Sequence, residues 1–177
     1  MQALSSLFFL VLTVAVVAGA RTHDLDKRDP LTKEETEELK QVGRDQPVKR
    51  FELLSNFMDL RLAAIDKLRA GEKASETRGK RTHDLLEDFT AIEDELRDCV
   101  EDVEGRPLTK AQRQDYQKGL KDVVGATDRW KAKLESLKNE TANDPQTKFE
   151  LQYFQFALAD ANDAIQSLHD AATEYLK

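Results

Sequence analysis

The chain is 177 residues long, carries 27 basic and 34 acidic residues for a net charge of −7, and has one cysteine, seven glycines and four prolines. That acidity excludes a DNA- or RNA-binding surface, and the scarcity of Gly and Pro excludes a turn-rich all-β chain. One Cys and three His leave little for metal or nucleophile chemistry.

Residues 1–20 hold none of the charged residues. Leu7-Phe-Phe-Leu-Val-Leu-Thr-Val-Ala-Val-Val17 is an unbroken apolar run, and Ala18-Gly-Ala20 supplies the small–x–small pattern that signal peptidase accepts. The expectation is an export signal cleaved after Ala20, with an uncleaved anchor as the alternative. The n-region Met1-Gln-Ala-Leu-Ser-Ser offers only the terminal amine as a positive charge. Export points to a periplasmic or extracellular location and an oxidising compartment, yet Cys99 alone cannot close an internal disulfide. Packing must then supply the stability. Lys27-Arg28 and the sequon Asn139-Glu-Thr141 carry processing and glycosylation readings only in a eukaryotic host.

Residues 21–31 are polar and aperiodic, a flexible leader. The single domain begins at residue 32 and runs to the C-terminus. Thr32-Lys-Glu-Glu35 fits a capping box, so a short helix is predicted to about Val42, ended by Gly43 and Pro47. A second helix is predicted over residues 48–70, the most buried one, with Leu53, Leu54, Phe57, Met58, Leu60, Leu62, Ala63, Ala64, Ile65 and Leu68 covering more than one face and Gly71 as its stop. Residues 72–81 read as a polar, basic, solvated connection. From Leu85 the apolar spacing is four and three, through Phe89, Ile92, Leu96, Cys99 and Val103, which predicts a helical seam closed by Gly105 and Pro107. Thr109-Lys-Ala-Gln112 is a second capping box. The fourth helix shows the seam Tyr116, Leu120, Val123, Thr127, Trp130, Leu134 and Leu137. Asn143-Asp-Pro145 predicts the start of a last helix with Pro145 at its first position and the seam Leu151, Phe154, Leu158, Ala161, Ile165, Leu168, Ala172 and Tyr175.

The fold class is therefore all-α: an antiparallel bundle of about four long helices after a short helix and a flexible leader. A short link between the third and fourth helices predicts that they form a hairpin, with layers Cys99–Tyr116, Leu96–Leu120, Ile92–Val123 and Leu85–Trp130. Charge points the same way, because residues 82–104 hold ten acidic residues against one Arg and residues 109–138 hold eight basic residues against four acids. Leu86, Val100 and Val124 lie off these seams and are candidates for a dimer contact or for contact with the second and fifth helices. The oligomeric state stays open between monomer and homodimer. The matches Arg21-Thr-His-Asp-Leu25 with residues 81–85, and Pro30-Leu-Thr-Lys33 with residues 107–110, fall at different offsets and establish no repeat.

Catalysis finds no footing. There is no G-x-S-x-G, no C-x-x-C, no H-x-x-x-H, no glycine-rich phosphate loop and no D-x-D-x-D-G calcium loop. Cys99 on an acidic helix is expected to have a raised thiol pKa. His83 with Asp84 and Glu87, and His169 with Asp170, are too few ligands for a metal. The expectation is a protein without enzymatic activity, without a cofactor, and with no stable membrane insertion once the signal is removed.

A binding role is the remaining class. Phe149, Tyr153, Phe154 and Phe156 fall within eight residues, and Phe149, Tyr153 and Phe156 point partly off the last helix's seam. They either thicken a stripe buried in the core or form an apolar face for a protein or an apolar ligand. The leading expectation is an exported interaction or structural module. The alternatives are a carrier of an apolar ligand between helices and a chaperone. The chaperone alternative comes from Leu108-Thr-Lys-Ala-Gln112, which resembles the LTxxQ motif of the Spy/CpxP-type periplasmic chaperones; Leu31-Thr-Lys-Glu-Glu35 is one residue away from it. That resemblance implies an exported all-helical protein forming cradle-shaped dimers that hold unfolded clients. This chain departs from the pattern in its acidity and in having one methionine, Met58, beyond the signal.

Overall fold

A computed structural model describes residues 28–103 and 107–177. The expected export signal, most of the expected leader and Gly105 lie outside the described residues. Five α-helices are described, in the order α1 (Lys33–Gln41), α2 (Pro47–Gly71), α3 (Glu76–Glu101), α4 (Lys110–Asn143) and α5 (Leu151–Glu174), with a single 3₁₀ turn at Lys148–Glu150 before α5. Among the described residues no helix is long and apolar enough to cross a membrane.

Both capping boxes form as expected. Thr32 and Thr109 accept the backbone N–H of Glu35 and Gln112, and the side chains of those residues reach back to the cap N–H. Pro47 sits in the first turn of α2, where its missing N–H costs nothing.

Two boundaries differ from expectation. The connection predicted over residues 72–81 is short, because Ser75 caps α3 by accepting the N–H of Arg78. Arg78, Gly79, Lys80 and Arg81 are thus helical, and Arg78 and Gly79 are buried. At the other end, Pro145 does not begin a helix. Asp144 closes a turn there, its carboxylate accepting from Gln146 N–H and its carbonyl from Thr147 and Lys148. The 3₁₀ turn follows and carries Glu150 inward.

The long helices form a four-helix core in which α2 packs on α3 and α4, and α5 packs on α3 and α4. The helices α3 and α4 are diagonal. The expected α3–α4 hairpin is therefore corrected: the two helices are not packed neighbours. The two helices still meet across the core, where Tyr116 Oη donates to the carbonyl of Val100 at 2.7 Å and Trp130 packs edge-on against Phe89. Cross-helix contacts give the directions. Gly119 lies against Val48 and Phe51, Trp130 Nε1 donates to Asp59 at 2.6 Å, and Lys133 reaches Asp66 at 2.7 Å, so α2 and α4 run parallel. Gly79 against Tyr153 makes α3 and α5 parallel as well.

The seams of α4 and α5 are buried as read, apart from Leu151 and Tyr175, which are partly covered. On α3 the buried side is turned by part of a residue step. Leu86 and Val100 are fully buried while Leu85 and Cys99 are only partly covered, because α3 must face both α2 and α5. Leu86 and Val100 thus serve the core and not an external dimer contact. Trp130, Phe51, Phe89 and Phe154 are the largest fully buried side chains, each removing enough apolar surface to contribute about 2–3 kcal/mol.

The described end of the leader is docked. Arg28 donates to Asp84 carbonyl at 2.7 Å and to Asp88 at 2.6 Å, and Pro30 carbonyl accepts from Arg61. Arg61 also holds Glu35 of α1 with two bonds of 2.8 and 2.6 Å, so α1 is tied across α2.

Candidate functional site

Phe149, Tyr153 and Phe156 lie on one side of the start of α5, with Phe149 four residues before and Phe156 three residues after Tyr153. The core side of the same helix is taken by Phe154, Ala157, Leu158 and Ala161, so Phe156 projects away from it, and Phe149 precedes the helix in the 3₁₀ turn. Phe156 is 74 % exposed and Phe149 44 %. Tyr153 is half-buried: it rests on α3 at Gly79, where an added methyl carbon would lie 2.8 Å from its ring. The ammonium of Lys80 stands 5.9 Å from the ring centroid. The three are therefore brought together as a surface stripe, and the reading that buried them in a thick core stripe is not what the structure shows. Leu60 on α2, 55 % exposed, was expected in the core and faces solvent instead. It belongs to a helix diagonal to α5.

Two clefts are polar. One, of about 450 Å³, is lined by Arg44, Arg50, Glu95, Asp98, Cys99 and Asp102 among others. Arg50 is its fixed point: it donates to Glu95 at 2.6 Å, to the carbonyls of Leu39 and Val42, and through Nε to Cys99 Sγ at 3.4 Å. Burial pushes the Cys99 thiol up, against the pull of Arg50, so it is a poor nucleophile. Cys99 thus lines a cleft and is not the enclosed core residue expected from the seam. The second cleft, of about 850 Å³, lies at the other end of the bundle between Asp66, Arg69, Lys73, Glu140 and Asp144. Neither touches the aromatic stripe.

The other expected candidates are placed as follows. His83, Asp84 and Glu87 bring one ligand atom each within 4.8 Å of one another. His83 Nδ1 is 3.5 Å from Asp84 and 3.7 Å from Glu87, but Arg28 shares Asp84 at 3.7 Å and adds a positive charge to the group. His169 does not work with Asp170. It contacts Thr127 Oγ1 at 2.9 Å across the α4–α5 contact, while Asp170 accepts from Gln166.

Sequence reasoning missed the buried charges. Glu150 is 1 % exposed and accepts from Arg78 Nε and Nη2 at 2.9 and 2.6 Å and from Ser75 N–H. A basic run placed in a linker carried no sign of that pairing. Glu93 is fully buried, and burial pushes its carboxyl up to about 7. Its place at the i+4 position from Phe89, between Ile92 and Leu96, was the available signal.

Comparison of the chain with protein-family models, with curated proteins and with solved structures found no match.

Proposed function

We propose that this chain is exported by its first 20 residues and works, without catalysis, as an interaction module that docks a protein through Phe149, Tyr153 and Phe156. The observation that carries the reading is the exposure of Phe149, in the 3₁₀ turn before α5, and of Phe156 on α5, while Phe154, Leu158, Ile165 and Leu168 of that helix are inside. Single exposed apolar residues are ordinary on a protein surface, whereas several on one side of a helix form a patch that contact with a partner would cover. The polar lining of both clefts favours a protein over a small apolar cargo, which needs an apolar enclosure.

Native mass spectrometry of the protein purified gently from its own host's exported fraction tests this reading. The expected result is the mass of residues 21–177 with a polypeptide bound. A discrete small apolar adduct would replace the reading with that of a carrier. Suppression of aggregation of an unrelated unfolded client at near-stoichiometric ratio would replace it with a holdase.

A further inference from the structure

The aromatic stripe lies on the side of α5 that turns toward α3, as the contact of Tyr153 with Gly79 shows. The two helices that make this face are the acidic ones. The helix α3 carries nine acidic and four basic residues, and α5 carries four acidic and no basic residues. On these two helices Glu87, Asp94, Asp160 and Asp163 are exposed to solvent. Lys80 and Arg97 of α3 are engaged, with Glu76 at 2.5 Å and with Asp94 at 2.6 Å, while Lys148 lies exposed beside Phe149. With α3 and α4 diagonal, Arg129 and Lys133 of α4 reach Asp59 and Asp66 of α2 and not the carboxylates of α3.

We propose that the α3–α5 face binds a cationic, amphipathic segment of a partner protein. The apolar side of that segment covers Phe149 and Phe156, and its lysines or arginines meet the carboxylates of Glu87, Asp160 and Asp163. The inference rests on the docking reading above and adds the chemistry of the occupant. A neutral apolar segment would strip water from these carboxylates without replacing it, and an acidic one would add like charge. Anionic lipid is disfavoured for the same reason.

The probe is an amphipathic helical peptide of leucine and lysine, about 18 residues or five turns long, titrated into the purified chain. Its counterpart with glutamate for lysine is the comparison. The Leu/Lys peptide is expected to bind, and its affinity to fall steeply as ionic strength rises. Phe156→Ser is expected to weaken it about tenfold, and Asp160→Asn with Asp163→Asn to weaken it about tenfold while flattening the salt dependence. Glu135→Gln on α4, away from the face, is expected to leave it unchanged. All these positions are exposed, so circular dichroism of each variant should match the parent. If the Leu/Glu peptide binds as well as the Leu/Lys peptide and needs Phe156, the cationic partner is overturned and the docking face stands. If neither peptide's binding depends on Phe156, the docking face falls with it.

Discussion

Glu93 sits on the buried side of α3 with neither carboxylate oxygen hydrogen-bonded. Arg97, one turn on, comes no closer than 3.5 Å and is drawn to Asp94 at 2.6 Å. Burial is the main reason its pKa rises from 4.5 to about 7, with Asp94, Asp98 and Glu101 adding to the rise. The folded chain thus keeps a proton that the unfolded chain releases between those values. Stability from this group is complete below pH 4.5 and is lost as pH rises through 7. Glu93→Gln removes that loss: urea unfolding at pH 8 should show the variant more stable by roughly 2–3 kcal/mol, converging with the parent near pH 4.5. Parallel pH curves for the two would contradict it. Glu35 works in the opposite sense, since its hydrogen bonds from Arg61 hold it below the usual carboxylate range; its contribution is present above pH 4.5 and fades as pH falls. The Arg78–Glu150 pair is a third case. Arg78→Met should cost about 3–5 kcal/mol by leaving Glu150 buried with only Arg69, 3.9 Å away, as counter-charge, and adding Glu150→Leu should recover part of it. Chemical denaturation of the single and double variants reads both numbers, and an equally unstable double variant would show that packing, not charge, is lost.

At the scale of the helix, glycines mark where packing overrides propensity. Gly125 lies inside α4 with nothing within 4 Å of an added methyl carbon, so Gly125→Ala should stabilise by roughly 0.5–1 kcal/mol. Gly79, equally helical, lets Tyr153 approach; Gly79→Ala should gain nothing or destabilise, and pairing it with Tyr153→Ala should restore the helix gain. Thermal unfolding of the three variants distinguishes these outcomes. The element starts at Thr32 and Thr109 were legible because capping is local chemistry carried by four residues. The start at Ser75 was not, because the polar run behind it is stabilised by Glu150, seventy-five positions away. The start of α5 was misplaced for a related reason: Asn-Asp-Pro offers both a helix start and a turn, and the need to aim Glu150 at Arg78 selects the turn.

At the scale of the molecule, the seams identified the bundle but not which helices are neighbours. A seam records that a helix has a buried side, and a four-helix core gives every helix two neighbours and a diagonal. The opposite charges of α3 and α4 suggested adjacency, yet exposed ion pairs contribute little and do not set topology. The aromatic stripe was legible as residues Phe149, Tyr153 and Phe156; its exposure was not, since the helical angle between a core edge and a surface stripe is small. The measurement that tests the docking surface most directly is site-specific photo-crosslinking in the protein's own host, with a photoreactive phenylalanine analogue at position 156 and, as a control, at position 135 on α4. A discrete adduct with a second polypeptide from position 156, and none from position 135, is the predicted result. Equal labelling from both positions, or no polypeptide adduct at 156, would contradict it.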